Sequence, residues 1–143
     1  ITCFLIIPLD VFYFKKMLIT KFILYFKIFG LFVYTLSIVI STIVIIQNEY
    51  ASPLVCDQSE RGQRIIKSGL YSFVRHPMYF SLLLIFVGFG LWCKTYVGVL
   101  ASILFFVACL KRIKVEEKYL KKQFDEYQDY TIRVKYKIIP FIY

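Results

Sequence analysis

The chain has 143 residues, of which 59% are hydrophobic and 20% aromatic, and it carries a formal net charge of +9. A soluble domain of this size seldom has so much apolar surface, so the composition favours a membrane protein. The positive charge does not indicate a nucleic-acid partner, because no groove-reading module surrounds it.

The first half of the chain is dominated by two apolar stretches. Ile1–Phe14 lacks an initiator Met, a basic n-region and a small-residue cleavage site, so it is not a complete signal peptide. We expect it to be the end of a hydrophobic segment, with one or more N-terminal helices missing. Between Phe22 and Ile46 the only charge is Lys27, and this stretch exceeds the roughly 20 residues that a bilayer span needs. It predicts a transmembrane helix.

A polar connection, Gln47–Val74, leads to two further uncharged runs, Pro77–Cys93 and Thr95–Leu110, which Lys94 separates. Each run is short for a complete span, so together they predict a helical hairpin that either dips across the bilayer or is tilted and thins it locally. Such a hairpin would return both of its ends to one face. Pro77 suits the first turn of a helix, because its missing N–H would have no intrahelical partner there.

The C-terminal segment is basic and amphipathic. Half of the 18 lysines and arginines lie in Lys111–Lys137, and the positive-inside rule therefore places this segment in the cytoplasm. Val115–Val134 predicts one amphipathic helix, with apolar or small side chains recurring every three or four residues: Leu120, Phe124, Tyr127, Thr131 and Val134.

The predicted fold class is therefore all-α: a polytopic integral membrane helical bundle with a C-terminal helical hairpin and an amphipathic tail helix. We expect residues 1–143 to form a single domain with its core at 58–140. A metal site is not expected, because the four cysteines form no CxxC pair and there is one histidine.

Two groups of residues offer chemistry. His76 lies beside the predicted helix start with Arg75 before it, and the free N–H groups at such a start favour an anionic group. Arg112 and Glu116 are four residues apart and share a helix face. The hairpin would bring the two groups to one pocket, although interfacial anchoring and a surface ion pair are the alternative interpretations.

These motifs resemble the isoprenylcysteine carboxyl methyltransferase-like family of integral-membrane enzymes, to which phospholipid N-methyltransferases are related. The likeness covers nearly the whole chain and is strongest over Gln58–Pro140. It rests on GLYSFVRHPMY at Gly69–Tyr79, RIKVEE at Arg112–Glu117 and FDEYQDYTIRVKYKIIP at Phe124–Pro140. The chain departs from the family pattern at Leu70 and Asp125, where relatives often have Pro and Gly.

The resemblance implies S-adenosylmethionine as the cofactor and Arg112 as the catalytic residue that orients the substrate. Gly88-Phe89-Gly90 resembles the GxG of the phospholipid branch, although small residues also permit close helix packing. The cofactor-binding residues that the resemblance implies are Gln58, Gln63, Arg64, Ile65, Ile66, Tyr71, His76, Pro77, Met78, Tyr79 and Glu116.

The sequence-based hypothesis is methyl transfer to a lipid-embedded or prenylated acceptor, with isoprenylcysteine-type carboxyl O-methylation favoured. A carboxylate needs no base and only a cation such as Arg112 to orient it, whereas an amine acceptor must lose a proton. Three alternatives stay open: phospholipid N-methylation, a non-catalytic membrane packing module, and a sterol-reductase-like enzyme, for which no dinucleotide fingerprint is present. We expect a multi-pass protein of the bacterial inner membrane, or of the endoplasmic reticulum in a eukaryote, with its active site facing the cytoplasm.

Overall fold

The computed structural model of the chain describes residues 23–50 and 64–142. These residues form four α-helices and a short 3₁₀ helix at Gly69–Ser72, and they contain no strand. The all-α prediction is thereby confirmed for this part of the chain. The α-helices are α1 (Ile23–Gln47), α2 (Pro77–Trp92), α3 (Tyr96–Gln123) and α4 (Glu126–Arg133).

Helix α1 is the one helix within residues 23–50 and 64–142 that is long and apolar enough to cross a membrane, judged by length and composition. Leu24–Gln47 has a mean hydropathy of 2.4 over its most apolar stretch, and only 17% of that stretch is buried. Large apolar side chains point outward on several sides, including Phe29, Phe32 and Ile46. A helix that is apolar all round suits lipid. The number of membrane crossings stays a prediction.

The described residues form two compact units. The first comprises 23–39 with 81–108. Here α1, α2 and α3 approach closely because glycines lie where the helices touch. A Cβ on Gly88 would lie 2.5 Å from the backbone nitrogen of Tyr34, and a Cβ on Gly90 would lie 2.9 Å from the carbonyl carbon of Gly98. Phe86 and Phe105 pack across α2 and α3 with ring centroids 4.5 Å apart.

The turn between α2 and α3 is held by its own backbone. Lys94 has a φ of 58°, and its N–H donates to the carbonyl of Leu91. The N–H of Thr95 donates to the carbonyl of Gly90. This pair of bonds is a Schellman motif, which satisfies the last carbonyls of α2. The hydroxyl of Thr95 then accepts from the N–H of Val97 and caps the start of α3.

Helix α3 runs further than the sequence pattern indicated. The prediction of one amphipathic helix over Val115–Val134 differs from the structure, in which α3 continues without a break from Tyr96 to Gln123 and α4 begins at Glu126. Nothing between Leu110 and Glu116 interrupts a helix, because Lys, Arg and Glu are good helix formers and no Gly or Pro is present.

The second unit comprises 40–50 and 64–80 with 109–142. Its apolar centre is a cluster of Tyr127, Tyr130 and Val134 on one face of α4 and its C-cap. Ile65, Leu120 and Phe124 pack against this cluster. The predicted apolar positions therefore lie together, except that Tyr130 is buried and Thr131 is only half-buried.

In this unit the end of α1 is bonded to the 3₁₀ helix. The Gln47 side chain accepts from the N–H of Leu70 over 3.0 Å, and the Asn48 amide donates to the Tyr71 hydroxyl over 2.8 Å. Gly69 has a φ of 62°, and a Cβ there would lie 2.2 Å from the Gln47 amide nitrogen. Only glycine combines that backbone conformation with so close an approach.

Replacing Gly88 with Ala should destabilise the protein by up to about 2 kcal/mol. The gain in helix propensity is about 1 kcal/mol, but forcing a methyl group against the Tyr34 backbone costs about 1–3 kcal/mol. Thermal unfolding in detergent would measure the change. Leu104→Ala, at a side chain that is 62% exposed, is the control and should have little effect. A stabilised Gly88→Ala protein would contradict the close packing.

Candidate active site

Helix α2 begins at Pro77, as the sequence predicted, and the two residues before it are held by the C-terminal segment. The N–H of Arg75 donates to the carbonyl of Tyr136 over 3.0 Å, and the N–H of His76 donates to the carbonyl of Lys137 over 2.8 Å. The expectation that free N–H groups here attract an anion therefore does not hold for Arg75 and His76, because both groups already have partners. Their backbone instead fixes the position of their side chains.

Those side chains converge on Glu117. The Arg75 Nε donates to Glu117 Oε1 over 2.8 Å, and the His76 Nε2 lies 3.3 Å from the same oxygen. The Lys137 Nζ lies 3.7 Å from the second oxygen. Arg75 also donates through Nη1 to the carbonyl of Val134 over 2.9 Å. The Arg75 and Glu117 side chains are only 7% and 12% exposed, so this is a buried ion pair.

The surroundings of Glu117 keep its carboxyl ionised. Burial by itself would raise the pKa of Glu117, but the hydrogen bond from His76 and the positive charges of Arg75 and Lys137 outweigh it and lower the pKa to about 2. The carboxylate is therefore charged at any physiological pH. Its role is that of a fixed counterion, because a group with so low a pKa does not exchange protons near neutrality.

A second arrangement is built around the hydroxyl of Tyr79. It accepts a hydrogen bond from Arg112 Nε over 2.6 Å and donates one to Glu116 Oε2 over 2.7 Å. The Arg112 guanidinium also lies 5.9 Å from the centre of the Tyr79 ring. Arg112 and Glu116 do share a helix face, and the tyrosine from α2 joins them.

The two adjacent glutamates have different surroundings. The Glu116 side chain is 28% exposed, against 12% for Glu117. Glu116 Oε1 lies 3.7 Å from His76 Nδ1, while its other oxygen accepts from Tyr79. Glu116 is therefore the carboxylate that a ligand can reach. Glu117, in contrast, already forms ion pairs with basic side chains of the protein.

Three buried tyrosines adjoin this centre. Tyr130 donates its hydroxyl to the carbonyl of Tyr71 over 2.7 Å. Burial raises the pKa of Tyr71, the bond from Asn48 partly offsets this, and the charge of Glu116 raises it further. Burial also raises the pKa of Tyr127, as does the nearby Glu117 carboxylate. Among the residues that the structure describes, the Tyr127 hydroxyl has no hydrogen-bond partner.

The structure thus brings together Tyr71, His76, Tyr79, Arg112 and Glu116 from the sequence-predicted set. Other members are placed less directly. Arg64 is exposed, Ile66 and Met78 are half-buried, and Ile65 packs against the α4 cluster. Residues 64–67 have no regular secondary structure, and Gln58 and Gln63 lie outside the described residues. The Gly88-Phe89-Gly90 segment lies in the first unit, where its glycines contact helix backbones.

Sequence reasoning did not single out Glu117 or the interior role of Arg75. A signal was available for Glu117, because it directly follows Glu116 in a stretch that favours a helix. Adjacent side chains on a helix point in different directions, so the two glutamates have different surroundings. A glutamate on the side that faces the protein needs a buried partner.

Comparison with known proteins assigns this chain to a family. The family model described as phospholipid methyltransferase matches residues 17–127, which include Tyr79, Arg112 and both glutamates. The chain belongs to the phospholipid methyltransferase family. It is a family of membrane-associated methyltransferases, as the resemblance of the motifs predicted.

One relative of this phospholipid methyltransferase family protein is named for a different activity. The chain is 32% identical over 85 residues to the Delta(14)-sterol reductase TM7SF2 of Mus musculus. The match covers 57% of this chain and 20% of the reductase, so the chain spans a small part of that protein. No solved structure matches the chain. The described residues contain no group of His, Cys, Asp and Glu that could hold a metal ion.

The Arg75–Glu117 pair predicts a loss of stability in acid. Because the folded pKa of Glu117 lies below its ordinary value of 4.5, its contribution is complete above about pH 5 and is lost as the pH falls towards about 2. Thermal unfolding between pH 6 and pH 3 should show a steeper decline for the wild type than for Glu117→Gln. Glu126→Gln, which removes an exposed ion pair with Lys67, should keep the wild-type profile. Parallel profiles for the wild type and Glu117→Gln would contradict this assignment.

The buried tyrosines predict opposite effects of the same substitution. Tyr130→Phe should destabilise the protein by about 1–2 kcal/mol, because the Tyr71 carbonyl loses its donor. Tyr127→Phe should be neutral or stabilising by up to about 1 kcal/mol, because it removes a buried hydroxyl without a partner. Unfolding of both variants in the same detergent makes the comparison. A larger loss in Tyr127→Phe would show that its hydroxyl has a partner beyond the described residues.

Proposed function

We propose that this chain is a membrane methyltransferase that uses S-adenosylmethionine and acts on a lipid-embedded acceptor. The family supplies the reaction class. The observation that carries the proposal further is that Arg112 and Glu116 both hydrogen-bond to the Tyr79 hydroxyl. Glu116 directly precedes the glutamate of the buried ion pair. A cation and an accessible carboxylate of α3 are thereby held a few ångströms apart by a tyrosine of α2.

The donor set fits the cofactor. S-adenosylmethionine has an amino group and ribose hydroxyls that need acceptors, and Glu116 presents a partly exposed carboxylate whose orientation Tyr79 fixes. His76 lies beside it, and Tyr71 and Tyr79 offer aromatic surface. The Tyr127 hydroxyl is a further polar group near the same carboxylates. When bound, the cofactor supplies a methyl group on a positively charged sulfur.

The chain's own contribution is to orient the acceptor, since methyl transfer needs in-line attack and little covalent help. Arg112 uses Nε for Tyr79, and its two terminal nitrogens have no hydrogen-bond partner among the described residues. Those nitrogens can bind a carboxylate with two parallel hydrogen bonds. Because a carboxylate is already nucleophilic at neutral pH, Arg112 has only to hold it in line. We propose a carboxyl group as acceptor, of the isoprenylcysteine type.

Phospholipid N-methylation is the second candidate, and the family model's own description favours it. An amine acceptor would need to lose a proton, and Glu116 is the accessible carboxylate that could accept it. The sterol reductase relative raises a third activity, hydride transfer, which would not consume S-adenosylmethionine at all.

These candidates separate in one labelling experiment. The purified full chain, reconstituted with its host's lipid extract, is incubated with methyl-labelled S-adenosylmethionine. Base-labile label released as methanol indicates a carboxyl ester, and base-stable label in the phospholipid fraction indicates N-methylation. No transfer to any lipid, with no measurable binding of the cofactor by calorimetry, would reject the proposed function.

Two substitutions should separate cofactor binding from acceptor orientation. Glu116→Gln should weaken S-adenosylmethionine binding about ten- to a hundredfold, because it removes a charge-assisted hydrogen bond. Arg112→Lys should keep cofactor affinity but lose at least about tenfold in turnover, because lysine cannot offer the planar two-pronged geometry. Calorimetry and methyl transfer are measured on the same preparations. The matched controls are Glu126→Gln and Lys114→Arg, both at exposed positions. Equal loss of affinity and turnover in Arg112→Lys would exclude the acceptor role.

A further inference from the structure

A cavity of about 200 Å³ lies beside the C-terminal segment in the second unit, and Tyr79 is not part of its lining. It is half-open to the outside and combines basic with aromatic side chains. Its lining includes Ser72, Phe73, Arg133, Lys135, Tyr136 and Phe141. No carboxylate contributes to this lining.

The positive charges that line this cavity have no carboxylate partner among the described residues. Arg133 and Lys135 are both exposed, and neither forms an ion pair with any carboxylate in the described ranges 23–50 and 64–142. Two neighbouring cations without counterions attract an anion. A phosphate suits such a pair, because its oxygens can accept hydrogen bonds from both side chains.

The apolar part of the cavity is also exposed. Phe73 is 66% exposed and Phe141 is 84% exposed, and the Phe141 ring packs at a tilt against Tyr136 with ring centroids 5.4 Å apart. Phe141 has a φ of 66°, a conformation that bulky residues rarely adopt. Ile132 and Ile142, the chain neighbours of Arg133 and Phe141, are also exposed, at 67% and 78%. Water is a poor environment for this many large apolar side chains.

We propose that this cavity binds the headgroup of an anionic phospholipid. Arg133 and Lys135 contact the phosphate, and Phe73 and Phe141 contact the glycerol and the first carbons of the acyl chains, which continue over the rim into the bilayer. A soluble anion would satisfy the two cations but would leave the aromatic rim in water. A lipid at the membrane surface satisfies both, since aromatic and basic residues together favour the headgroup region.

The same backbone segment forms the cavity wall and holds the centre of the site. The carbonyl of Val134 accepts from Arg75, and the carbonyl of Tyr136 accepts from the Arg75 N–H. A lipid bound to Arg133 and Lys135 therefore restrains the segment that positions the Arg75–Glu117 pair. We expect anionic lipid to stabilise the folded protein, whatever acceptor it methylates.

The test uses the full chain in uncharged detergent and follows thermal unfolding during titration with phosphatidylglycerol or with phosphatidylcholine of the same acyl chains. Phosphatidylglycerol should raise the unfolding temperature more than phosphatidylcholine. In the double variant Arg133→Gln/Lys135→Gln, the apparent affinity for phosphatidylglycerol should fall about tenfold or more. The control Lys121→Gln/Lys122→Gln removes the same charge from exposed positions of α3 and should keep the wild-type response.

A third variant, Phe141→Asn, retains both cations and suits the left-handed backbone, because Asn tolerates that conformation. It should weaken the response to phosphatidylglycerol while leaving any response to inorganic phosphate unchanged. The proposal is overturned by an unchanged phosphatidylglycerol response in the double variant, or by an equal loss in the control, which would indicate diffuse charge attraction. Equal stabilisation by inorganic phosphate would also overturn it, because the ligand would then be a soluble anion.

Discussion

The buried ion pair between Arg75 and Glu117 is the interaction on which the second unit depends. It joins the residues before α2 to the C-terminal part of α3, and through the Val134 carbonyl it also holds the segment after α4. Desolvating two charges is costly, and it is tolerated here because nearly every donor and acceptor is satisfied. Removal of either partner would leave a charge buried without compensation, at a typical cost of about 3–5 kcal/mol.

This pair explains why two glutamates stand side by side on α3. Glu117 balances the cations inside the unit, so Glu116 is left to face outward with Arg112. A shared Tyr79 hydroxyl fixes the distance between the outward pair. The outer pair is thus positioned by the protein's own contacts, and such preorganisation is what the proposed methyl transfer needs.

The sequence predicted much of this arrangement. Pro77 indicated where α2 begins, the apolar runs around Lys94 indicated two helices joined by a turn, and four-residue spacing placed Arg112 with Glu116. It could not decide which of the adjacent glutamates is buried, because that depends on partners that lie 42 residues apart in the chain. It also could not show that the N–H groups of Arg75 and His76 are taken by the C-terminal segment. Local patterns give helix bounds and faces, whereas such long-range pairings follow only from the packed chain.

The lysine in the turn between α2 and α3 has a consequence for the kind of bilayer that this protein suits. Helix α2 has 16 residues, which correspond to about 24 Å, and a typical hydrocarbon layer is about 30 Å thick. With Pro77 at one interface, the backbone at the end of α2 would stop about 6 Å short of the other, a gap that the Lys94 side chain can bridge by extending its ammonium towards the headgroups. Hydrophobic mismatch of this size costs little per ångström, yet it sorts proteins among membranes. For a chain whose α2 crosses the membrane, as the sequence predicts, we therefore expect thin bilayers to be the better match.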